Sequence, residues 1–322
     1  MADRIPNGTR DVLADEMREV RALTDSIRAV FSGAGYGEIA TPTLEYERTY
    51  QHKGVGESAG TYRLFDEHGQ VLVLRSDMTI PIARVVGGRF AAAELPLRFS
   101  YVAHSYRGVR PGRGHARELL QAGIELIGAE GPAGTAEAIT LLCQTLSAVG
   151  LEHYRVGLGD VKLYPALLDS CGVPAEARER IIAELASGDF VGMRRELAAL
   201  PLTPQAAELL LQVPRMRGSA EILSQITEHL GGAAASLEQT LELLAPDVAE
   251  RVILDLGLVR NLDYYTGAIF QVYDPAHGTP LGSGGRYDEL LGEFGRSLPA
   301  VGFALDVDRL HAARRGEERS CG

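Results

Sequence analysis

The chain has 322 residues, 45% of them hydrophobic and 23% charged, the make-up of a globular protein with room for one large core or two domains. Lys and Arg total 32 against 43 Asp and Glu, and the resulting net charge of −11 lacks the broad basic footprint that nucleic-acid phosphates select. No run approaches the roughly 20 apolar residues of a membrane span and the first residues carry no secretion signal, while Cys143, Cys171 and Cys321 make neither a disulfide framework nor a zinc pattern, so a reducing cytoplasm is the expected setting.

In chain order, Met17, Val20, Leu23, Ile27, Val30 and Phe31 recur at helical spacing, and Gly33 and Gly35 should stop that first helix. Pro42 follows in an extended segment. RLFDEHGQVLVLRS reads as two strands around a turn at Glu67 to Gln70. PLRFSYVAHSYR and ELLQAGIELIG read as a further pair around the polar loop GVRPGRGHA. Thr135 to Val149 looks helical, and Pro174 to about Ala249 is rich in Ala, Leu and Glu in short helical patterns broken by Pro201, Pro204 and Pro214. Strands return at VILDLGL and AIFQVYD, and VGFALDVDRL has the spacing of a strand or turn feeding a short helix. The order is that of an α+β protein with three segments, 1–173, a helical insertion over 174–249, and 250–322.

Five stretches, PNGTRDV from Pro6, YVAHSYRGVRPGRGHARELLQAGIELIG from Tyr101, LVRNLDYYTGAIF from Leu258, GSGGRYDEL from Gly282 and VGFALDVDRL from Val301, resemble in order and spacing the catalytic core of class II histidyl-tRNA synthetases. The resemblance implies a six- or seven-stranded, mostly antiparallel sheet flanked by helices, dimerising through the segment around Pro42. Within that family the chain is most similar to the branch that regulates ATP phosphoribosyltransferase and charges no tRNA. Such members are implied to join a short-form catalytic subunit in a hetero-octamer and to convey inhibition by L-histidine, without a cofactor.

Three departures from the synthetase pattern point to that branch. The anticodon-binding domain of a synthetase follows the last core motif, and this sequence stops about a dozen residues past Leu310. In the nucleotide half, Arg107 matches the family's α-phosphate arginine, but Val109 stands where a glutamate for adenine belongs and His115 where a second phosphate arginine belongs. Each loss should cost about 1–3 kcal/mol of ATP binding, with Arg113 or Arg117 near enough to compensate in part. Asp306 replaces a glycine beside the nucleotide, where a carboxylate repels phosphates and can recruit Arg309 as its partner.

The amino-acid half is intact by the same resemblance. Asp77 and Thr79 would receive the ligand's ammonium, Gln121 would bridge ammonium and carboxylate, Arg260 would hold the carboxylate, and Glu125 with Tyr264 or Tyr265 would read the imidazole; Arg107 completes the set. Gly282, Gly284 and Gly285 would let a strand pass close to the ligand. Taken singly, Arg260 with Asp263 reads as a salt bridge, the tyrosines as half-buried strand residues, and Asp77 with Thr79 as a solvated turn. Glu125 does not, because a lone carboxylate in an apolar strand is costly without a partner. No histidine pair has metal-ligand spacing. Two sites for L-histidine stay open, this pocket and a subunit interface. A truncated synthetase core that still forms histidyl-adenylate for another acceptor is the rival reading, and a dimeric scaffold with an empty pocket is a third.

Overall fold

The computed structural model describes residues 5–51, 60–90, 92–108, 116–226, 230, 234–258 and 264–320. The first helix, α1 (Ala14–Gly33), carries Asp15 and Glu16 in its first turn and buries Val20, Leu23, Ile27 and Phe31 along one stripe. It ends where Gly35 takes φ +82° and the Tyr36 amide reaches back to the Phe31 carbonyl at 3.0 Å, a conformation glycine adopts at no steric cost.

Among the described residues twelve strands follow in two sheets: β1 (Gly37–Glu38), β2 (Leu44–Tyr46), β3 (Arg63–Phe65), β4 (Val71–Leu74), β5 (Leu97–Tyr106), β6 (Glu118–Ile127), β7 (Arg155–Asp160), β8 (Arg217–Gly218), β9 (Val252–Asp255), β10 (Ala268–Asp274), β11 (His277–Arg286) and β12 (Ala300–Asp306). The large sheet runs β1-β5-β6-β12-β11-β10-β7-β9-β8. Its central six strands, β5 to β7 in that order, are antiparallel throughout, which is the sheet the motifs imply. The edges extend it to nine strands and make it mixed, because β1 joins β5 and β9 joins β7 in parallel. β2, β4 and β3 form a separate antiparallel sheet.

Strand alternation sorts the large sheet into two faces. On β6, Ala122, Ile124 and Leu126 are fully buried in the main core, together with α1 and the helix α3 (Gly131–Ala148). Gln121, Gly123 and Glu125 point the other way. On that second face Tyr101, Ile127, Tyr287 and Leu290 pack under α2 (Thr79–Arg89) through Met78, Ile82, Ala83 and Val86. Arg286, nearly fully buried, ties the faces together at one end by donating to the Ala129 and Gly131 carbonyls at 3.0 and 2.9 Å and pairing with Asp288 at 2.8 Å.

The stretch between β7 and β9 forms helices at Leu163–Ser170, Ala175–Ser187, Phe190–Ala198, Pro204–Gln212, Ala235–Glu242 and Pro246–Ala249. Pro204 opens a helix rather than merely breaking one: Thr203 caps it by accepting the Ala206 amide at 3.2 Å, and a proline in the first turn sacrifices no backbone bond. This stretch also supplies β8, whose Arg217 pairs in register with Asp255 of β9. Its Ile181, Met193, Leu197 and Leu210 belong to the same hydrophobic cluster as Val156 and Leu158 of β7.

Candidate functional site

The register of the sheet fixes the floor of a cavity of about 490 Å³. Gln121, Gly123 and Glu125 of β6 stand opposite Asp306, Ala304 and Gly302 of β12, and Ser283 and Gly285 of β11 oppose Ala304 and Gly302 in turn. Every second residue therefore faces the cavity, and most of these are small, so the floor lies close to the backbone itself. Tyr101 on β5, opposite Gly123, forms one wall, and Tyr264, Tyr265 and Tyr287 form another. The rings of Tyr264 and Tyr265 lie 4.9 Å apart, and the Tyr287 ring stands edge-on to Tyr264 at 6.0 Å.

Glu125 lies at the bottom. A side chain on Gly302 would collide with its Oε2 and with the Ile124 carbonyl, so the glycine is what allows the carboxylate to lie across β12. The Thr79 hydroxyl donates to Glu125 Oε1 at 2.7 Å and the Tyr287 hydroxyl to Oε2. Burial pushes the Glu125 carboxyl up to about 8 despite those two donors. Asp77 sits just before α2, where its Oδ1 accepts the Ile80 amide at 2.9 Å and its Oδ2 the Ser76 hydroxyl at 3.1 Å. Desolvation raises its pKa as well. Gln121 is 9% exposed, and its Oε1 is a buried acceptor with no partner among the described residues. An orphaned acceptor on a cavity wall is the mark of a ligand's donor.

The opposite end of the cavity has a different character. Asp306, beside Gln121, binds Arg309 twice, Oδ2 at 3.0 Å from Nε and Oδ1 at 3.1 Å from the backbone amide. A second guanidinium nitrogen of Arg309 donates to the Pro280 carbonyl at 2.7 Å. This arginine, which in the synthetase pattern faces a nucleotide, is thus committed to the protein. Burial raises the Asp306 pKa in spite of its partner. Arg107, exposed at the mouth, donates to the Ser76 carbonyl at 3.3 Å.

Asp77, Thr79, Arg107, Gln121, Tyr264 and Tyr265 all border this one cavity, and Glu125 underlies it through Thr79. Arg260, like Val109, Arg113 and His115, lies outside the described residues. Thr79, expected at the ligand's ammonium, spends its hydroxyl proton on Glu125. Of the three strand glycines, Gly284 faces the Phe270 ring and Gly282 the Leu305 side chain, so both make room for protein; Gly285 lies under the Tyr265 ring. Sequence reasoning missed Tyr287, although two-residue alternation from Ser283 and Gly285 leads to it, and Tyr101, which alternates with Phe99 and Ala103 on β5. It also missed Ala186, contributed to the cavity wall by the helix Ala175–Ser187. Among the described residues no His, Cys, Asp and Glu cluster suits a metal, and no helix is long and apolar enough to cross a membrane.

A family model described as histidyl-tRNA synthetase matches residues 8–310. A curated protein of Symbiobacterium thermophilum named ATP phosphoribosyltransferase regulatory subunit is 41% identical over 321 residues, covering 97% of this chain and 80% of its own. A solved structure from Bacillus halodurans, titled an ATP phosphoribosyltransferase regulatory subunit/histidyl-tRNA synthetase, superposes with a TM-score of 0.90 at 32% identity over 97% of this chain and 83% of its own. A histidine–tRNA ligase subunit from Alicyclobacillus acidocaldarius gives a TM-score of 0.79 at 31% identity, covering 99% of this chain and 98% of its own.

Proposed function

The chain belongs to the histidyl-tRNA synthetase family and, within it, to the ATP phosphoribosyltransferase regulatory subunits, and from that premise we propose that it is a non-catalytic effector-binding subunit whose cavity takes L-histidine. Bound there, L-histidine biases a complex with the catalytic ATP phosphoribosyltransferase subunit between more and less active states, and so conveys feedback inhibition of the first step of histidine synthesis in the cytoplasm. The observation that carries this reading is the asymmetry of the cavity. Its amino-acid end presents two carboxylates, an amide oxygen without a partner among the described residues and four tyrosines, whereas at the nucleotide end Arg309 is occupied by Asp306. The ammonium and ring N–H groups of L-histidine would meet those acceptors and supply the positive charge that the described wall is short of. Within this reading the segments 1–173 and 250–322 make the synthetase-like core and 174–249 is its helical insertion.

The assembly is read as a homodimer of this chain within a hetero-octamer. The small sheet supports the dimer, since Leu44, Tyr46 and Leu64 project from the face opposite buried Glu45 and Val73 and are 46, 37 and 41% exposed. Adenylate formation, the rival reading, needs the whole nucleotide end of the cavity; Arg107 remains exposed there, but the Asp306–Arg309 pair withdraws the second arginine and opposes it. The deciding experiment measures ATP phosphoribosyltransferase activity of the short catalytic subunit from the same organism, alone and with this protein, across an L-histidine titration. Activity that rises with this protein and falls with L-histidine is the expected result. A rate indifferent to both refutes the reading.

A further inference from the structure

The described wall around Glu125 contains acceptors, hydroxyls and rings, and it is short of cations. From α2 and the residue pair before it come the Thr79 hydroxyl and the Asp77 carboxylate; from β5, Tyr101; from the end of β11, Tyr287; and from the segment ahead of β10, Tyr264 and Tyr265. β12 contributes only Gly302 at this point. Of the two described arginines that border the cavity, Arg309 is paired with Asp306, and Arg107 sits exposed at the mouth, where its charge is felt by Asp77 and Tyr101. Gln121 adds a buried oxygen that no described group satisfies.

Two carboxylates desolvated in such a wall each favour the protonated form while the cavity is empty, and each disfavours ionisation of the other. Resting on the reading that this cavity takes L-histidine, we propose that the site exchanges a proton for its ligand: a proton is held on the Glu125–Asp77 pair of the empty cavity, and an organic cation bearing N–H donors displaces it to solvent. The ammonium and the ring N–H of the ligand then supply the hydrogen bonds and positive charge that the carboxyl proton had supplied, so the effector class is a protonated amine and the response depends on pH.

The sign follows from which state favours the proton. Burial holds the Glu125 carboxyl at about 8 in the empty protein, and a cation alongside lowers it in the complex. Below about pH 8 the empty protein therefore carries a proton that the complex lacks, and affinity rises with pH until that value is passed. One such proton makes binding about fivefold tighter at pH 8 than at pH 7, with about 0.9 proton released at pH 7.

The test is isothermal titration of the full chain with L-histidine at pH 7 and pH 8 in two buffers of different ionisation enthalpy, phosphate and Tris. The expected result is a heat that changes with buffer by about one proton's worth at pH 7 and a matching rise in affinity at pH 8. The variant Glu125→Gln keeps an acceptor for Tyr287 or Thr79 while removing the titrating group; it should lose the buffer dependence and show a flat pH profile. Binding of L-histidine to the unmutated chain with identical heats in both buffers overturns the exchange and leaves the effector reading in place. Absence of L-histidine binding at both pH values overturns both.

Discussion

The replacement Gly302→Ala tests the site through a single methyl group. Built on this backbone, the new Cβ falls against Glu125 Oε2 and the Ile124 carbonyl. The carbonyl belongs to the neighbouring strand and cannot withdraw without breaking the β6–β12 ladder, so the Glu125 head group must leave. Its departure strips the Thr79 and Tyr287 hydroxyls of their common acceptor at the floor of the cavity. Two orphaned donors at about 1–3 kcal/mol each, with about 1–3 kcal/mol of overpacking, bring the expected loss to about 3–9 kcal/mol. Urea unfolding followed by circular dichroism measures it, and calorimetry should show L-histidine binding abolished. A double-mutant cycle isolates the cause: once Glu125→Ala has removed the carboxylate, the part of the Gly302→Ala penalty that comes from the orphaned hydroxyls should disappear, leaving the overpacking against the Ile124 carbonyl. A variant within 1 kcal/mol of the parent that binds L-histidine normally would refute the idea that this glycine exists for Glu125.

Other replacements probe separate parts of the molecule. Arg286→Lys keeps the charge but cannot meet the Ala129 carbonyl, the Gly131 carbonyl and Asp288 with one ammonium, so it should cost about 2–4 kcal/mol in urea unfolding; a cost under 0.5 kcal/mol would mean the fork is dispensable. Asp306→Gly frees the Arg309 guanidinium and should tighten binding of ATP about tenfold in equilibrium dialysis while L-histidine affinity holds; unchanged ATP binding would show that the pair is not what excludes phosphate. Leu64→Arg places a charge on the exposed apolar face of the small sheet and, on the proposed dimer, should convert it to monomer in light scattering; a parent chain that is itself monomeric, or a variant that stays dimeric, would refute this dimer contact.

Four strands of the central sheet, β5, β6, β10 and β12, were legible because their apolar residues alternate or run unbroken between turns, as in ELLQAGIELIG, whereas β11, HGTPLGSGGR, carries no such pattern. The strand β7 was not, because RVGLGD carries two glycines that depress its strand character yet are required where Gly159 meets the Asp255 carbonyl and Gly157 meets Tyr273. The start of α2 was hidden for a similar reason: Asp77 and Thr79 look like a turn until the Ile80 amide is seen bonded to the aspartate. In the site, Glu125 stood out by its cost in an apolar strand. The residues that satisfy it did not, since Thr79 precedes it by 46 positions and Tyr287 follows by 162, separations at which no local pattern speaks. The Asp306–Arg309 contact was readable because it spans three residues at the start of a helix.

The two-residue strand β8 and the side chains that the helical stretch sends into the common core carry a consequence for how the molecule comes apart. A segment interrupted in sequence is here continuous in cooperativity: Met193 and Leu210 lose their burial when Val156 and Leu158 lose theirs, and the ladder from Arg217 to Asp255 opens with the sheet edge. Heating should therefore produce one calorimetric transition spanning both parts, and native-state hydrogen exchange should find the amides of the helix Pro204–Gln212 protected by nearly the same opening free energy as those of β7. Expressed alone, residues 174–249 would expose the apolar side on which the sheet depends, and protease resistance in that stretch becomes a gauge of whether the whole chain has folded.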